Sequence, residues 1–145
     1  MKANRRPRWK RLKWLVLVVL LLVAYPGFVF ATVYAHWFVA NLPGGRNGPS
    51  DAYRHALASA TVAYTGSPRW VEWVTAVMEH GGEGNDSRAM DAHNNRIGAR
   101  IGAQASSWRQ MQADVMTAIE HGTVNTADEQ QITWLPPERW QNRLY

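Results

Sequence analysis

Three short stretches gather the groups that could do chemistry: "DAYRHA" at residues 51–56, "MEHGGEG" at 78–84 and "MDAHNNRIGARIG" at 90–102. In the first, Asp51 and His55 stand four residues apart on one helical face, with Arg54 three after the acid. A carboxylate so placed can accept from one imidazole nitrogen and leave the other for a substrate proton or a metal. The plainer alternative is an acid favourably placed at a helix N-terminus beside a solvent-exposed Arg and His. In the second stretch Glu79 and His80 end a helix and Glu83 follows in a glycine-rich loop. Backbone could approach a ligand closely there, or the stretch is simply a helix stop with a polar loop. In the third, Asp91, Asn94, Asn95 and Gly98 fall at i, i+3, i+4 and i+7, a polar face that ends in a glycine. Met90, Ile97 and Ile101 mark the buried side. Gly98 and Gly102 would let another helix come close, each at about 1 kcal/mol relative to Ala. His93 lies off that face and is expected toward solvent.

His55, His80 and His93 are three of the five histidines, each beside a carboxylate residue in a different helix or helix end. Brought together in one cleft, imidazole and carboxylate supply general acid/base pairs or a divalent-metal site, for which His55, His80, Glu79, Glu83 and Asp91 are the candidate ligands. On that reading His55, Asp51, Asp91, Glu83 and His80 carry catalysis. Arg54 binds an anionic group, and Asn94 and Asn95 hold substrate oxygens or fix the carboxylates. The other reading is a buried hydrogen-bonded network that sets helix register in a small core. With no cysteine there is no thiolate nucleophile or ligand, and no GxSxG, HExxH, Walker A or CxxC pattern is present.

The elements that would position these groups read as helices. The segment 41–50 is a Gly/Pro/Asn linker, and Ser50 is a good N-cap for a helix through about Tyr64. Ser67 and Pro68 open a second helix to about His80, with Trp70, Trp73, Val74, Val77 and Met78 as its apolar stripe. Ser87 can cap a third through about Gln104. Ser107 with Gln110 makes a capping-box pattern for a fourth that ends at Gly122 and carries Trp108, Met111, Val115, Met116 and Ile119 at helical spacing. Nothing reads as strand. A turn of helix fits near residues 127–132, and Pro136 and Pro137 forbid a helix beyond it.

Ahead of the linker, residues 14–40 carry no formal charge. A helix over residues 15–36 would rise about 33 Å, enough to cross a hydrocarbon core. Trp9 and Trp14 on one side and Trp37 on the other stand where interfacial aromatics are expected. Seven of the 16 basic residues precede this run and leave nine against 11 acids after it, so the +5 charge belongs to a tail and not to a nucleic-acid-binding face. The positive-inside rule then puts the N-terminus in the cytoplasm and the rest in the periplasm or outside, as in a single-pass protein of a bacterial inner membrane. A cleavable signal peptide is the alternative, with Pro26-Gly27 as breaker and cleavage after Ala31 or Ala35. The expected organisation is a basic tail (1–13), a signal anchor (14–40), a linker (41–50), a helical domain (51–122) and an extension (123–145). The fold class is all-α, one transmembrane helix followed by a compact bundle of about four short helices.

Over residues 49–104 the chain resembles a family of small bacterial helical domains whose signature runs D-A-aromatic-R-H-A, a His-Glu region, then M-D-x-x-N-N-x-x-G. By the match, Asp51, Arg54, His55, Asp91, Asn94 and Asn95 carry over, with Gly98 as a structural position. In the middle motif Glu79 precedes His80 and Glu83 follows, so two acids compete for one place. Leu57 and Ala58 stand where relatives often carry a tryptophan. The resemblance extends to prokaryotic Wnt-like and VanZ-like domains and implies action on lipid head groups or lipid-linked envelope intermediates. The expected function is therefore a membrane-anchored hydrolase or transferase acting on a phospholipid or lipid-linked phosphate. A non-catalytic, membrane-tethered envelope protein is the alternative from another class, and a small pore-forming or lysis protein the third.

Overall fold

The computed structural model describes residues 8–71 and 86–141. They form α1 (Arg8–Ala40), α2 (Pro49–Thr65), α3 (Asp86–Gln104), α4 (Trp108–Glu120), strands β1 (Thr123–Val124) and β2 (Thr133–Trp134), and a 3-10 turn, Pro137–Arg139. The helix expected after Ser67 begins there, with residues 68–71 helical and the Arg69 N–H on Ser67 Oγ. Its continuation lies outside the described residues.

α1 runs through Pro26 without a break. Among the described residues it is the one helix long and apolar enough to cross a membrane, over Trp9–Ala40. Trp14, Leu15, Leu20 and Val23 are all exposed, as side chains that face lipid would be. Its second half instead belongs to the bundle: Val33 is buried with Ala56, Leu57, Met111 and Val115, and Val29, Trp37 and Ala40 pack on that core. α1 and α2 are antiparallel, tied at one end by Trp37 Nε1 donating to Ser50 Oγ and at the other by the Tyr25 and Thr65 hydroxyls, 2.7 Å apart. A fragment that starts at Asn41 is therefore expected to lose its cooperative thermal transition. Circular dichroism of that fragment beside the full chain in detergent checks this.

Ser50 does not cap α2. Gly48 takes the N-cap and Pro49 the first helical position, which suits a residue without an N–H. No side chain caps the helix; Asp51, in its first turn, instead reaches back with Oδ2 to accept the Asn47 N–H at 2.8 Å. At α4, Ser107 Oγ accepts the Gln110 N–H as expected. The reciprocal bond goes elsewhere, since Gln110 Oε1 accepts from Ser106 N–H and Oγ.

α2 is the central helix, packed on α1, α3 and α4. Its closest neighbour is α3, where a Cβ added at Gly98 would stand 2.1 Å from Ala56 O and one at Gly102 2.2 Å from Ala60 O. Both pairings advance by four residues in the same sense, so the two helices run parallel with their backbones nearly touching. Glycine is required here for space, as the spacing of the two residues predicts.

The segment after α4 packs on the bundle. β1 and β2 pair in parallel, Thr123 with Thr133; two residues per strand are too few for any alternation to be read from sequence. The turn of helix expected near 127–132 is a run of side-chain-closed turns, with Asp128 N–H on Thr126 Oγ1 and Gln130 N–H on Asp128 Oδ1. Beyond β2 the chain crosses the segment 41–50: Leu135 N–H donates to Asn47 O, and Arg46 and Gln141 exchange backbone bonds of 2.8 and 3.0 Å. Trp140 lies on Gly44, whose φ of +72° and contact with the ring leave no room for a side chain. The expected linker is thus a clamped, ordered part of the fold.

Candidate functional site

His55 is where the two helices bring their acids together. Its Nε2 lies 3.3 Å from Asp91 Oδ1 on α3 and 3.7 Å from Asp51 Oδ1 one turn back on α2. The parallel packing creates this meeting, with Asn95 and Ser59 joined one turn further along both helices, at 2.9 Å.

The two carboxylates differ in environment. Asp51 is buried and fully used: Oδ1 accepts from Arg54 Nη2, and Oδ2 from the Asn47 N–H. Arg54 is held in turn with its guanidinium 5.3 Å above the Trp37 ring. Asp91 is partly buried, and its Oδ1 makes no hydrogen bond among the described residues. Burial pushes its carboxyl up to about 6, and the charge of Asp51 adds to the shift, while His55, Arg46 and Arg54 pull the other way. One acid is thus committed to holding Arg54 while the other, facing His55, changes protonation close to neutral pH.

Such an imidazole–carboxylate contact can take up and return a proton. The same atoms suit a cation: Asp51, His55 and Asp91 offer ligand atoms within 4.8 Å of one another. Tetrahedral zinc with bonds of roughly 2.0–2.1 Å needs neighbouring ligands about 3.3 Å apart. The His55–Asp91 separation meets that spacing. Asp51 would have to share oxygens already bonded to Arg54 and Asn47.

Asn94 has a different place from the substrate contact expected of it. It is fully buried, donating Nδ2 to Thr133 O at 2.8 Å and accepting the Thr133 N–H at 3.0 Å. Both ends of the amide are spent on β2, so this residue fastens the segment after α4. Replacing Asn94 by Ala strands two buried backbone groups and is expected to cost about 2–3 kcal/mol, read as a lower urea midpoint at unchanged slope. Asn95 accepts from Ser59 Oγ and ties α3 to α2. His93 is turned from the site onto Gln131 O, at 2.8 Å, and not to open solvent. Glu79, His80 and Glu83 lie outside the described residues.

A cavity of about 570 Å³ lies between α1 and α2, with Asp51, Arg54 and His55 at one end. Sequence reasoning misses its α1 wall, because the side chains of an apolar helix that face a cavity look the same as those that face lipid. The one local signal is Trp37, read as an interfacial aromatic, which instead supports Arg54 and bonds Ser50.

A family model described as a domain of unknown function, DUF6973, matches residues 31–126, roughly two thirds of the chain. The match starts inside α1, within the part that packs on the bundle, and contains every described site residue. No curated protein and no solved structure matches the chain.

Proposed function

The chain belongs to the DUF6973 family, and we propose that this member is a membrane-anchored enzyme, a hydrolase or transferase acting on the phosphate-bearing head group of a lipid. The observation that carries the reading is the contact of His55 with Asp91 across two parallel helices, at the charged end of a cavity walled by the membrane-crossing helix. With Nε2 held toward the two carboxylates, the other ring nitrogen of His55 takes the proton of a water or acceptor hydroxyl as that oxygen bonds to the head-group centre. The ionised Asp91 and Asp51 stabilise the imidazolium, which then gives the proton to the departing alcohol oxygen as its bond breaks. Arg54, fixed by Asp51 and Trp37, supplies the charge that holds an anionic group.

The resemblance of "DAYRHA" and "MDAHNNRIG" to lipid-directed helical domains supports the same substrate class. The basic residues ahead of α1 favour a domain on the outer side of a bacterial inner membrane, and the bundle's use of Val29, Val33 and Trp37 favours an uncleaved anchor. Against the non-catalytic alternative, Asn94, Asn95 and Asp51 are each spent on separate partners, Thr133, Ser59, and Asn47 with Arg54, but His55 and Asp91 remain 32% and 28% exposed.

The test is head-group turnover by the full chain in phosphatidylglycerol vesicles, read by mass spectrometry of lipid and water-soluble products. His55→Asn is expected to lower the rate about 100-fold or more; a folded variant with undiminished turnover sinks the proposal. Activity should rise with pH as Asp91 ionises, with an acid limb near its value of about 6. A cation at Asp51, His55 and Asp91 is the second reading, favoured by their mutual spacing. It predicts that chelation abolishes turnover and that zinc restores it.

A further inference from the structure

The cavity between α1 and α2 has a direction. At one end it is lined by Tyr25, Pro26, Val62 and Trp70, and at the other by Tyr34, Asp51, Arg54 and His55. The antiparallel packing fixes this order, because Tyr25 meets Thr65 where Trp37 meets Ser50 at the far end. The apolar end points down α1 toward its exposed, lipid-facing residues; the charged end points away from them.

Aromatic residues mark a level at the apolar end. Tyr25 packs edge-on to Trp70 and tilted against Phe28, which in turn meets Trp108. The apolar residues of α1 that precede this level, Leu15 to Leu20 with Leu22 and Val23, are exposed. The apolar end of the cavity, at Tyr25 and Trp70, thus adjoins the exposed apolar run of α1. The cavity runs upward beside α1 from Tyr25 to Tyr34, about 13 Å by helical rise.

We propose that this groove takes one hydrocarbon chain of a membrane amphiphile, which enters from the bilayer at the apolar end and brings its head group to Asp51, Arg54 and His55. The inference rests on the enzymatic reading for the fate of the head group but not for the binding itself. Three features argue for this occupant: the apolar walls, the polar groups gathered at one end only, and the match between the direction of the polarity gradient and that of a lipid in the adjoining leaflet. α1 is then a wall of the binding site as well as an anchor. Ala58 lines the groove from α2; a large side chain there would fill it.

The experiment uses the full chain in phosphatidylcholine vesicles doped with phosphatidylglycerol that carries a diazirine in one acyl chain. After irradiation, cross-links are mapped by peptide mass spectrometry. Cross-links are expected on Val29, Val33, Ala58 and Val62, besides those on residues 15–23, within the apolar run of α1. Ala58→Trp should cause a several-fold loss of the groove cross-links and leave those on 15–23 unchanged. Ala58→Leu, a smaller plug, should cause a partial loss and guards against a tryptophan variant that fails to fold. Cross-links confined to residues 15–23 in the wild-type protein would overturn the proposal, as would groove cross-links insensitive to both plugs. Groove cross-links without any head-group turnover would support the groove and remove the enzymatic reading; turnover without groove cross-links would do the reverse.

Discussion

Replacing Asp91 by Asn is expected to give a protein that is more stable at neutral pH and that no longer turns over substrate. The native fold holds this carboxyl at about 6 against an ordinary 3.8, so folding favours its protonated form. A raised acid contributes its stability below the unfolded value, near pH 4, and loses it as pH rises through about 6. Above that range the ionised form costs up to about 3 kcal/mol, at roughly 1.4 kcal/mol per pKa unit. The amide cannot ionise and is spared that cost. Wild type and variant should therefore have similar urea midpoints near pH 4 and separate as pH approaches 7, with the variant above. The imidazolium loses its partner in the same change, and turnover should fall about 100-fold or more, together with the acid limb of the pH profile. An Asn variant that is less stable than wild type at pH 7 would mean that the ionised carboxylate is welcome in the fold, as it would be with a cation beside it.

The second large effect is steric. Gly98→Ala or Gly102→Ala would place a methyl group 2.1 or 2.2 Å from a backbone carbonyl oxygen of α2, a contact that no side-chain rotation relieves. Alanine brings about 1 kcal/mol of helix propensity, whereas overpacking a tight core costs about 1–3 kcal/mol and occasionally more. Since the obstacle is backbone on both sides, the cost lies at the upper end and the net effect is a loss of about 2 kcal/mol or more. α3 can yield only by moving off α2 as a body, which also opens the 3.3 Å contact of Asp91 with His55. Turnover is thus expected to fall even at temperatures where the variant is folded. Ala103→Gly, on the exposed side of the same helix, gives the contrast: about 1 kcal/mol from propensity alone, with turnover intact. Thermal melts and turnover of the three variants together separate the two causes.

Much of the fold was legible locally. The uncharged run marks α1, the Ser107 and Gln110 pair marks the start of α4, and the i, i+4 spacing of Asp51 and His55 anticipates their proximity. Asp91, Asn95, Gly98 and Gly102 do face α2 together, as their periodicity requires. What could not be read depends on distant partners. Asn94 meets Thr133 39 residues on, and His93 meets Gln131 38 residues on; nothing in the neighbourhood of either residue encodes those contacts. Likewise the double use of α1 is invisible in composition, since a side chain that touches Leu57 and one that touches a lipid tail are chosen for the same property. The depth of Asp91, and with it the pKa shift, follows from how closely two backbones approach and not from any motif.

The bond pair between Arg46 and Gln141 joins residues almost at the two ends of the bundle's sequence, as does that between Asn47 and Leu135. The latter holds the residue whose N–H anchors Asp51. Closing loops of this length carries an entropic penalty that grows with the logarithm of their size and slows folding when such contacts complete the structure. The carboxylate that positions Arg54 therefore acquires its final setting only after residues 133–141 have been synthesised and have crossed back over the start of α2. While the nascent chain is still emerging, α1 and α2 can pair, yet the polar end of the cavity stays unfinished. Assembly order alone thus delays the proposed activity until the whole bundle is in place.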